Sequence, residues 1–320
     1  MILRFTCIFT LILGFFFAPL KSARADAAKK TIIFAYSDSI HLWGDHENKI
    51  SAEFLAETLK KSYAGKIEAK ALYLKSDSDF EALRGADAVI VFGEGEKHHP
   101  FYKRENLIKK LNDSGVSFGF IHYALQPDDS AGYEVLDAVL GGHYEPYYSV
   151  NPSFEAKFES FAPHPVSSGV KSFAISDEWY FNIKFPDADR VRPIAKVVPP
   201  DRVRKGRDGP HSGNAVVRGN LGAAESILWV CENPNKTRGF GFTGGHCLFN
   251  FLNDDYRKLL LNACLWLAKV EPPEGGVESP RPSFEELESK IEKPLRRDIE
   301  HYKKRVEESA KKWNLKQPEN

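Results

Sequence analysis

The amino-acid sequence predicts an α/β fold with a doubly wound, mostly parallel sheet, an inserted antiparallel or loop region and a C-terminal helical tail. Strand-like and helix-like segments alternate along the first half of the 320-residue chain. The strand-like segments are continuous apolar runs rich in β-branched and aromatic residues, which is typical of strands buried on both faces. The length of the chain suits one large core.

The elements of the first half follow one another in a regular order. Apolar runs predict the strands, and apolar residues at helical spacing predict the helices between them. The predicted strands are 31–37, 67–74, 86–92 and 116–122, and the predicted helices are 48–64, 103–113 and a short helix through 135–140. Because crossovers within one sheet are right-handed, this order places the strands in parallel and helices on both faces.

Residues 144–220 have a different composition, rich in proline, serine and aromatic residues, with short alternating runs such as "FEAKFES" and "RPIAKVV". These runs predict antiparallel strands and long loops inserted into the same domain. The segments "ESILWVCENP" and "RGFGFTGG" then predict a hairpin about Asn233, Pro234 and Asn235. A last helix should begin after Asn253, which is a good N-cap, and end near Lys269.

The N-terminus has the pattern of a secretory signal peptide. Arg4 precedes a short apolar run, and Ala-Arg-Ala at 23–25 fits a cleavage site. We therefore expect residues 1–25 to be a signal peptide, 26–279 to form the α/β domain and 280–320 to form a charged tail. The mature protein should be periplasmic or secreted, with no membrane span after processing. A retained N-terminal anchor is the alternative.

Apolar residues recur every three or four positions in the tail, which predicts one apolar stripe on a helix interrupted near Pro294. The stripe comprises Leu287, Ile291, Leu295, Ile299, Tyr302, Val306, Ala310 and Trp313. Such a stripe either docks on the body of the protein or contacts a partner, including a second copy of the chain. Truncation after Ser279 should leave a folded domain.

The charge balance and the cysteine content argue against a nucleic-acid-binding protein, a protein that binds anionic membranes and a protein built on disulfides. Lysine plus arginine and aspartate plus glutamate each number 44, so the composition favours neither a nucleic acid nor an anionic membrane surface as partner. Three cysteines follow the signal peptide, and this odd number is not a disulfide framework. Cys231 and Cys264 lie in apolar runs and are expected to be buried thiols.

Histidines collect at one edge of the predicted sheet. Ligands of parallel α/β sheets bind outside the carboxyl ends of the strands. Seven of the ten histidines fall there: His41, His46, His98, His99, His122, His143 and His246. Since histidine titrates nearest neutrality, the cluster is a candidate acid/base or metal site. Each histidine taken singly could equally be a hydrogen-bonded loop residue.

Two polar segments and one turn supply further candidates. "DGPHSGN" contains His211 and Asn214 and suits hydroxyl recognition, unless it is an ordinary turn. "DEWY" places Trp179 beside Glu178, as in an aromatic platform for a sugar ring, although Trp179 could also be a core residue. At Gly244-Gly245-His246 the glycines indicate a tight turn or a close backbone approach, with the histidine either in a pocket or capping a helix.

Several motifs together resemble those of exported members of the ThuA-like family, named for trehalose utilisation. They are "GDHE", "FIHYAL", "SVNPSF", "HPVSSGV", "SDEWYF", "DGPHSGN", "RGFGFTGGH" and "LNACLWLAKVEPPEGGVES", in one order from about Thr31 to Ser279. The resemblance implies a flavodoxin-like sheet of the class I glutamine amidotransferase-like type. It also implies a role with disaccharides or their 3-keto forms. The matching positions are His46, His122, Glu178, His211 and His246.

The chain departs from related sequences in two informative ways. Amidotransferases of this fold carry a nucleophilic cysteine where this chain has His122, so thioester chemistry on glutamine is excluded. Relatives often carry a second histidine and a tryptophan after the Gly-Gly-His motif, in the pattern H-x-H-x-N-W, whereas this chain reads His246-Cys247-Leu248-Phe249 and so has Leu248 in place of the second histidine. We therefore expect acid/base chemistry with no metal and no other cofactor.

The hypothesis from sequence is an enzyme that eliminates, isomerises or hydrolyses a keto-sugar by acid/base chemistry. A non-catalytic sugar-binding module is the alternative, and an interaction protein that recruits a partner through its tail is a third. The small-molecule partner is a sugar in the first two. Predicted catalytic residues are His122, Glu178 and His246, and predicted substrate-binding residues are His46, His99, Trp179, His211 and Asn214.

Overall fold

The computed structural model describes residues 28–314 of the chain, with side chains as far as residue 312. Its strands are β1 (Lys30–Tyr36), β2 (Ile67–Tyr73), β3 (Ala88–Phe92), β4 (Ser117–Ile121), β5 (Ser153–Phe158), β6 (Phe173–Glu178), β7 (Val191–Val197), β8 (Glu225–Glu232) and β9 (Arg238–Phe242). Its α-helices are α1 (Asn48–Ser62), α2 (Asp77–Ala82), α3 (Glu105–Asp113), α4 (Ser130–Leu140), α5 (Asp201–Arg204), α6 (Ala215–Gly219), α7 (Asp254–Leu267), α8 (Phe284–Glu288) and α9 (Ile299–Asn314).

Seven of these strands form one sheet in the order β2-β1-β3-β4-β9-β8-β7. The pairs from β2 to β9 are parallel, which confirms the parallel arrangement predicted for the first four strands. The β8–β9 hairpin is antiparallel, as predicted, and β7 adds a further antiparallel strand at that edge. Three of the four predicted parallel strands are shorter in the structure: β2 ends one residue earlier, β3 begins two residues later, and β4 loses one residue at each end.

Alternate residues of the central strands supply two separate cores. Ile32 and Phe34 of β1 lie in the first core, whereas Ile33 and Ala35 lie in the second, as the two-residue period of a strand requires. Apolar residues of α1 and α7 pack in the first core, and those of α3 and α4 in the second. Helices therefore cover both faces, and the doubly wound fold is confirmed.

The segment between α4 and β8 is divided between two sheets. β5 and β6 pair with each other as a separate antiparallel sheet, while β7 joins the main sheet beside β8. Both small strands turn alternate apolar residues into the first core, including Phe154 and Ile175. The insertion is thus packed on the main domain, as the sequence predicted, and it brings Glu178 at the end of β6 to the rim.

The C-terminal segment packs on the body through its apolar stripe. Leu287, Tyr302 and Val306 are buried in the first core. The helix is interrupted between α8 and α9, where Pro294 lies, as predicted. Leu295, which the sequence placed in the stripe, lies in this interruption and is 65% exposed, because it is not on the helical face. The Trp313 side chain lies outside the described residues.

The signal peptide predicted at 1–25 also lies outside the described residues. Among residues 28–314, the structure has no helix that is both long enough and apolar enough to span a bilayer.

Candidate functional site

The carboxyl ends of four neighbouring strands bring chemistry-bearing side chains together. His122 directly follows β4, Glu94 follows β3, His46 lies in the loop after β1, and His246 lies in the loop after β9. These four strands are adjacent in the sheet, so their ends share one rim. His46 and His246 are 200 positions apart in the chain, and their loops are also joined by a 2.8 Å backbone hydrogen bond from His46 N to His246 O.

Three imidazole rings meet at the centre of this rim. Nε2 of His46 lies 3.1 Å from Nε2 of His122 and 3.0 Å from Nδ1 of His246. His46 and His122 are almost completely buried, at 2% and 3% exposure. We call these three residues the histidine cluster and the three mutually facing nitrogens its inner nitrogens.

The outer nitrogen of each ring faces an oxygen acceptor. His122 Nδ1 donates to the carbonyl of Thr243 at 2.8 Å. His46 Nδ1 lies 3.3 Å from Oε1 of Glu94, without the alignment of a hydrogen bond, and His246 Nε2 lies 3.5 Å from Oδ1 of Asp45. A proton on each outer nitrogen leaves a lone pair on each inner nitrogen. The lone pairs of the cluster therefore converge.

The electrostatics of the cluster keep two of its rings neutral. Burial lowers the pKa of His46 to about 4, and burial together with the neighbouring histidines holds the pKa of His122 well below its usual value. Burial also lowers the pKa of His246, but Asp45 and Glu178 outweigh it and raise the pKa overall. His246 is thus the ring most able to hold an extra proton.

Two residues of the cluster have an unusual backbone conformation. His46 and His122 have φ angles of 46° and 54°, in the left-handed region that non-glycine residues seldom adopt. His122 stands where β4 turns sharply into a 3₁₀ turn, so its side chain projects from the top of the sheet. Such conformations persist where the surrounding structure fixes a side chain for function.

Contacts around the Gly244-Gly245 turn explain the glycine pair. A Cβ on Gly244 would lie 2.4 Å from the Trp179 ring, and Gly245 has a φ of 116°. The carboxylate of Asp177 accepts hydrogen bonds from the backbone N–H of Gly245 and Cys247, at 2.8 Å and 3.0 Å. The glycines thus permit a tight turn that Asp177 holds. The capping alternative for His246 is wrong, because Asn253 caps α7.

Glu178 joins the cluster to an open cavity. Its Oε1 lies 3.9 Å from Nε2 of His122 and accepts a hydrogen bond from Asn151 at 3.1 Å. Burial raises the pKa of Glu178. Glu178 and His246 line a cavity of about 580 Å³, bounded by the β5–β6 sheet and α9, while His122 lies behind them. The three residues predicted to be catalytic therefore lie together, with two of them facing the cavity.

The inner nitrogens form a donor set that suits a divalent metal ion. They lie within 4.8 Å of one another, and imidazole nitrogens are preferred ligands of zinc and similar ions. The outer nitrogen of His122 is hydrogen-bonded, and those of His46 and His246 face carboxylates, as is common for metal-bound histidines. The expectation of no metal rested on Leu248, but Leu248 is buried in the first core and does not bear on this donor set. The donor set is therefore compatible with a bound divalent ion.

Three predicted substrate-binding residues have structural contacts instead. Trp179 is fully buried and packs between Phe158 and Phe242, so the platform hypothesis is wrong and the core alternative holds. His99 is buried with both ring nitrogens bonded to the backbone. Asn214 caps α6 with its amide oxygen and donates from its amide nitrogen to the Tyr148 carbonyl, so both ends of the amide have backbone partners.

Two tyrosines separate His211 from the histidine cluster. Its Nδ1 is 2.9 Å from the hydroxyl of Tyr144, whose ring packs against Tyr180. Tyr180 in turn packs on His122, with ring centroids 4.4 Å apart. The partly exposed His211 therefore does not join the cluster, and it does not line the cavity that Glu178 and His246 face.

Sequence reasoning assigned no catalytic or binding role to several residues that the structure places at the site, although it placed His41 at the rim. Glu94 is buried and its carboxylate lies between His41 and His46, with His41 Nδ1 at 2.9 Å from Oε2. His41 stacks on His46 at a centroid distance of 3.6 Å. Asp45 faces His246. Their position in the chain could have identified these residues, because each lies in a loop that follows the carboxyl end of a strand.

Comparisons with known proteins agree with this architecture. The sequence model of ThuA, described as trehalose utilisation, matches residues 36–267, which is more than half of the chain. The chain belongs to the ThuA family. A comparison with curated proteins finds no match.

Two crystal structures of ThuA-like proteins are similar in fold. The one from Bacteroides uniformis ATCC 8492 has a TM-score of 0.52 and 17% identity, covering 75% of this chain and 93% of that chain. The one from Parabacteroides merdae ATCC 43184 has a TM-score of 0.50 and 13% identity, covering 79% and 98%. At these identities the likeness establishes the fold alone.

This ThuA-family chain has no activated thiol at the rim among the described residues. The thiol nearest the cluster is Cys247, whose pKa burial raises to about 12. A thiolate is the reactive form of cysteine, so this residue is unsuited to nucleophilic catalysis. With His122 at the turn after β4, the site lacks the nucleophile of an amidotransferase.

Proposed function

We propose that this ThuA-family protein is a carbohydrate-processing enzyme that acts on a disaccharide or its 3-keto form, with the histidine cluster and Glu178 as its catalytic centre. The observation that carries the proposal is the convergence of three inner nitrogens beside a carboxylate that faces a cavity. A cavity of this size is in the range that holds small-molecule ligands. The family description supports a carbohydrate role.

In this proposal His46, His122 and His246 hold a divalent ion, which when bound would polarise a sugar carbonyl as a Lewis acid. The sequence assigned His122 and His246 to acid/base roles, but their inner nitrogens point at His46, which favours ligation. Asp45 and Glu94 fix the outer nitrogens of His246 and His46. Their role is to orient the rings.

Glu178 is the acid/base group. A carbonyl acidifies the neighbouring C–H, so Glu178 takes that proton while the C–H electron pair moves toward the carbonyl oxygen. In an elimination Glu178 then gives the proton to the departing oxygen as the enolate electron pair expels it. In an isomerisation Glu178 gives the proton to the former carbonyl carbon, and the proton of the neighbouring hydroxyl passes to the former carbonyl oxygen, so that the carbonyl moves by one carbon. The raised pKa of Glu178 makes its protonated form a more available donor. Both a lyase and an isomerase fit this sequence of proton transfers.

The sugar-binding module is less well supported, because the aromatic platform that favoured it is absent. Trp179 is fully buried below Gly244. Export to the periplasm or the medium also remains part of the proposal. It rests on the signal-peptide pattern of residues 1–25, and N-terminal sequencing of fractionated protein tests it.

The deciding experiment incubates purified protein, with and without added zinc, with a panel of 3-keto-disaccharides and follows the products by mass spectrometry. Glu178→Gln should lower turnover by about 10²–10⁴-fold, the usual contribution of a positioned acid/base group. Glu155→Gln is the matched control, because Glu155 lines the same cavity away from the histidine cluster. Equal loss in both variants, or undiminished turnover in Glu178→Gln, would contradict the assignment.

A further inference from the structure

The C-terminal segment beyond residue 280 contacts the loops that carry the histidine cluster. This segment lies outside the part of the chain that matches the ThuA family, residues 36–267. Three of its side chains reach the rim: Lys293, Arg296 and Tyr302. The segment therefore does more than cover an apolar face.

Lys293 and Tyr302 hold the backbone of the loop before α1. Nζ of Lys293 donates to the carbonyl of Asp45 at 2.7 Å and lies 3.3 Å from the carboxylate of Glu47. The hydroxyl of Tyr302 donates to the carbonyl of Gly44 at 3.2 Å and lies 3.0 Å from Sγ of Cys247. Tyr302 thus touches both loops that carry His46 and His246.

Arg296 contacts the side chain that faces His246. Its Nη1 donates to Oδ2 of Asp45 at 2.8 Å, while Oδ1 of the same carboxylate lies 3.5 Å from Nε2 of His246. The ion pair is well shielded, with 14% of the Arg296 side chain and 12% of the Asp45 side chain exposed. The guanidinium also lies over the ring of Tyr302, 4.6 Å from its centroid, which restricts its position.

We propose that Arg296 is a positioning residue of the candidate active site. By occupying Oδ2 of Asp45, it holds Oδ1 toward Nε2 of His246, so that His246 keeps its proton on Nε2 and its lone pair on Nδ1. Only that tautomer directs a lone pair at the inner position shared with His46 and His122. The chain thus completes its site with a residue from outside the family domain.

The effect on turnover rests on the proposed function, whereas the effect on the tautomer does not. Removing a residue that holds the outer nitrogen of a metal-bound histidine typically lowers activity or metal affinity by about 10–100-fold. Arg296→Ala should therefore lower kcat by about tenfold or more, because Asp45 would lose the partner that orients its carboxylate toward His246.

The test uses the full-length protein, ¹⁵N-labelled at histidine and freed of metal, at alkaline pH where the imidazoles are neutral. The ¹⁵N spectrum should show His246 as a single Nε2–H tautomer in the wild type and as a mixture in Arg296→Ala. Arg297→Ala is the matched control: Arg297 is adjacent and exposed, and no described residue forms an ion pair with it.

Arg296→Met is a second variant that removes the charge but keeps apolar packing on Tyr302. If Arg296→Ala does not fold, the tautomer of His246 is measured in Arg296→Met instead. Arg296→Lys restores a cation and should recover part of the Nε2–H tautomer population of His246 that the wild type shows. An unchanged His246 tautomer in a folded Arg296→Met protein would overturn the proposal. If the wild type turns over no sugar, the proposed function fails, while the tautomer still decides the role of Arg296.

Discussion

Protonation of His99 should destabilise the protein in acid, and the structure allows the size of the effect to be worked out. His99 is buried, Nε2 donates to the carbonyl of Ala124 at 3.0 Å, and Nδ1 accepts from the N–H of Phe101 at 3.1 Å. A second proton on Nδ1 would leave that N–H without an acceptor. Burial lowers the pKa of His99 from 6.5 to about 4.

The sign and magnitude follow from linkage. Since the folded pKa lies below the unfolded one, the unfolded state binds more protons, and stability is lost as pH falls from 6.5 toward 4. A difference of about 2.5 pKa units corresponds to about 3 kcal/mol at most, at about 1.36 kcal/mol per unit. This is a large part of the stability of a typical domain.

The assay compares the free energy of unfolding of the wild type and of His99→Gln by denaturant titration between pH 7.5 and pH 4. Glutamine can replace the donor and acceptor without taking up a proton. The advantage of the wild type at pH 7.5 should therefore shrink by about 3 kcal/mol at pH 4. His98→Gln, at the exposed neighbouring position, is the control and should follow the wild type. Parallel curves for the wild type and His99→Gln would refute the reasoning.

Three further predictions concern packing, the tail and the metal. Gly244→Ala should cost about 1–3 kcal/mol in thermal or denaturant unfolding, because its Cβ would overlap Trp179, whereas Gly65→Ala, with nothing within 4 Å, should cost little. Truncation after Ser279 should give a folded protein with a lower Tm, since it exposes the apolar face that the tail covers; loss of all soluble protein would show that the tail belongs to the core. Added zinc should raise the Tm of the wild type by mass action and leave His122→Ala unchanged; an equal rise in both would contradict the histidine cluster as the metal site.

Local pattern determined the fold class and the place of the site. Long apolar runs mark strands buried on both faces, and alternation of strands with helices leads to a parallel sheet, so the parallel arrangement of the first four strands followed from sequence. The rim was predictable for the same reason, because residues directly after such strands meet at one edge. The N-cap at Asn253 was equally local.

Only the tertiary structure decided which residues at that rim act together. The sequence treated Trp179 and His99 as ligand-facing, yet their burial depends on segments far away in the chain. Nor could the sequence show that His46 and His122 take left-handed backbone conformations.

The contact between the tail and the histidine cluster is the clearest example of an arrangement that the sequence did not predict. Its helical spacing predicted docking, but nothing in the pattern linked Arg296 to Asp45, 251 positions away. A hydrogen bond between such distant residues depends on how the whole chain packs. Short-range periodicity therefore indicated the helix, and long-range packing alone brought its arginine to the histidine cluster.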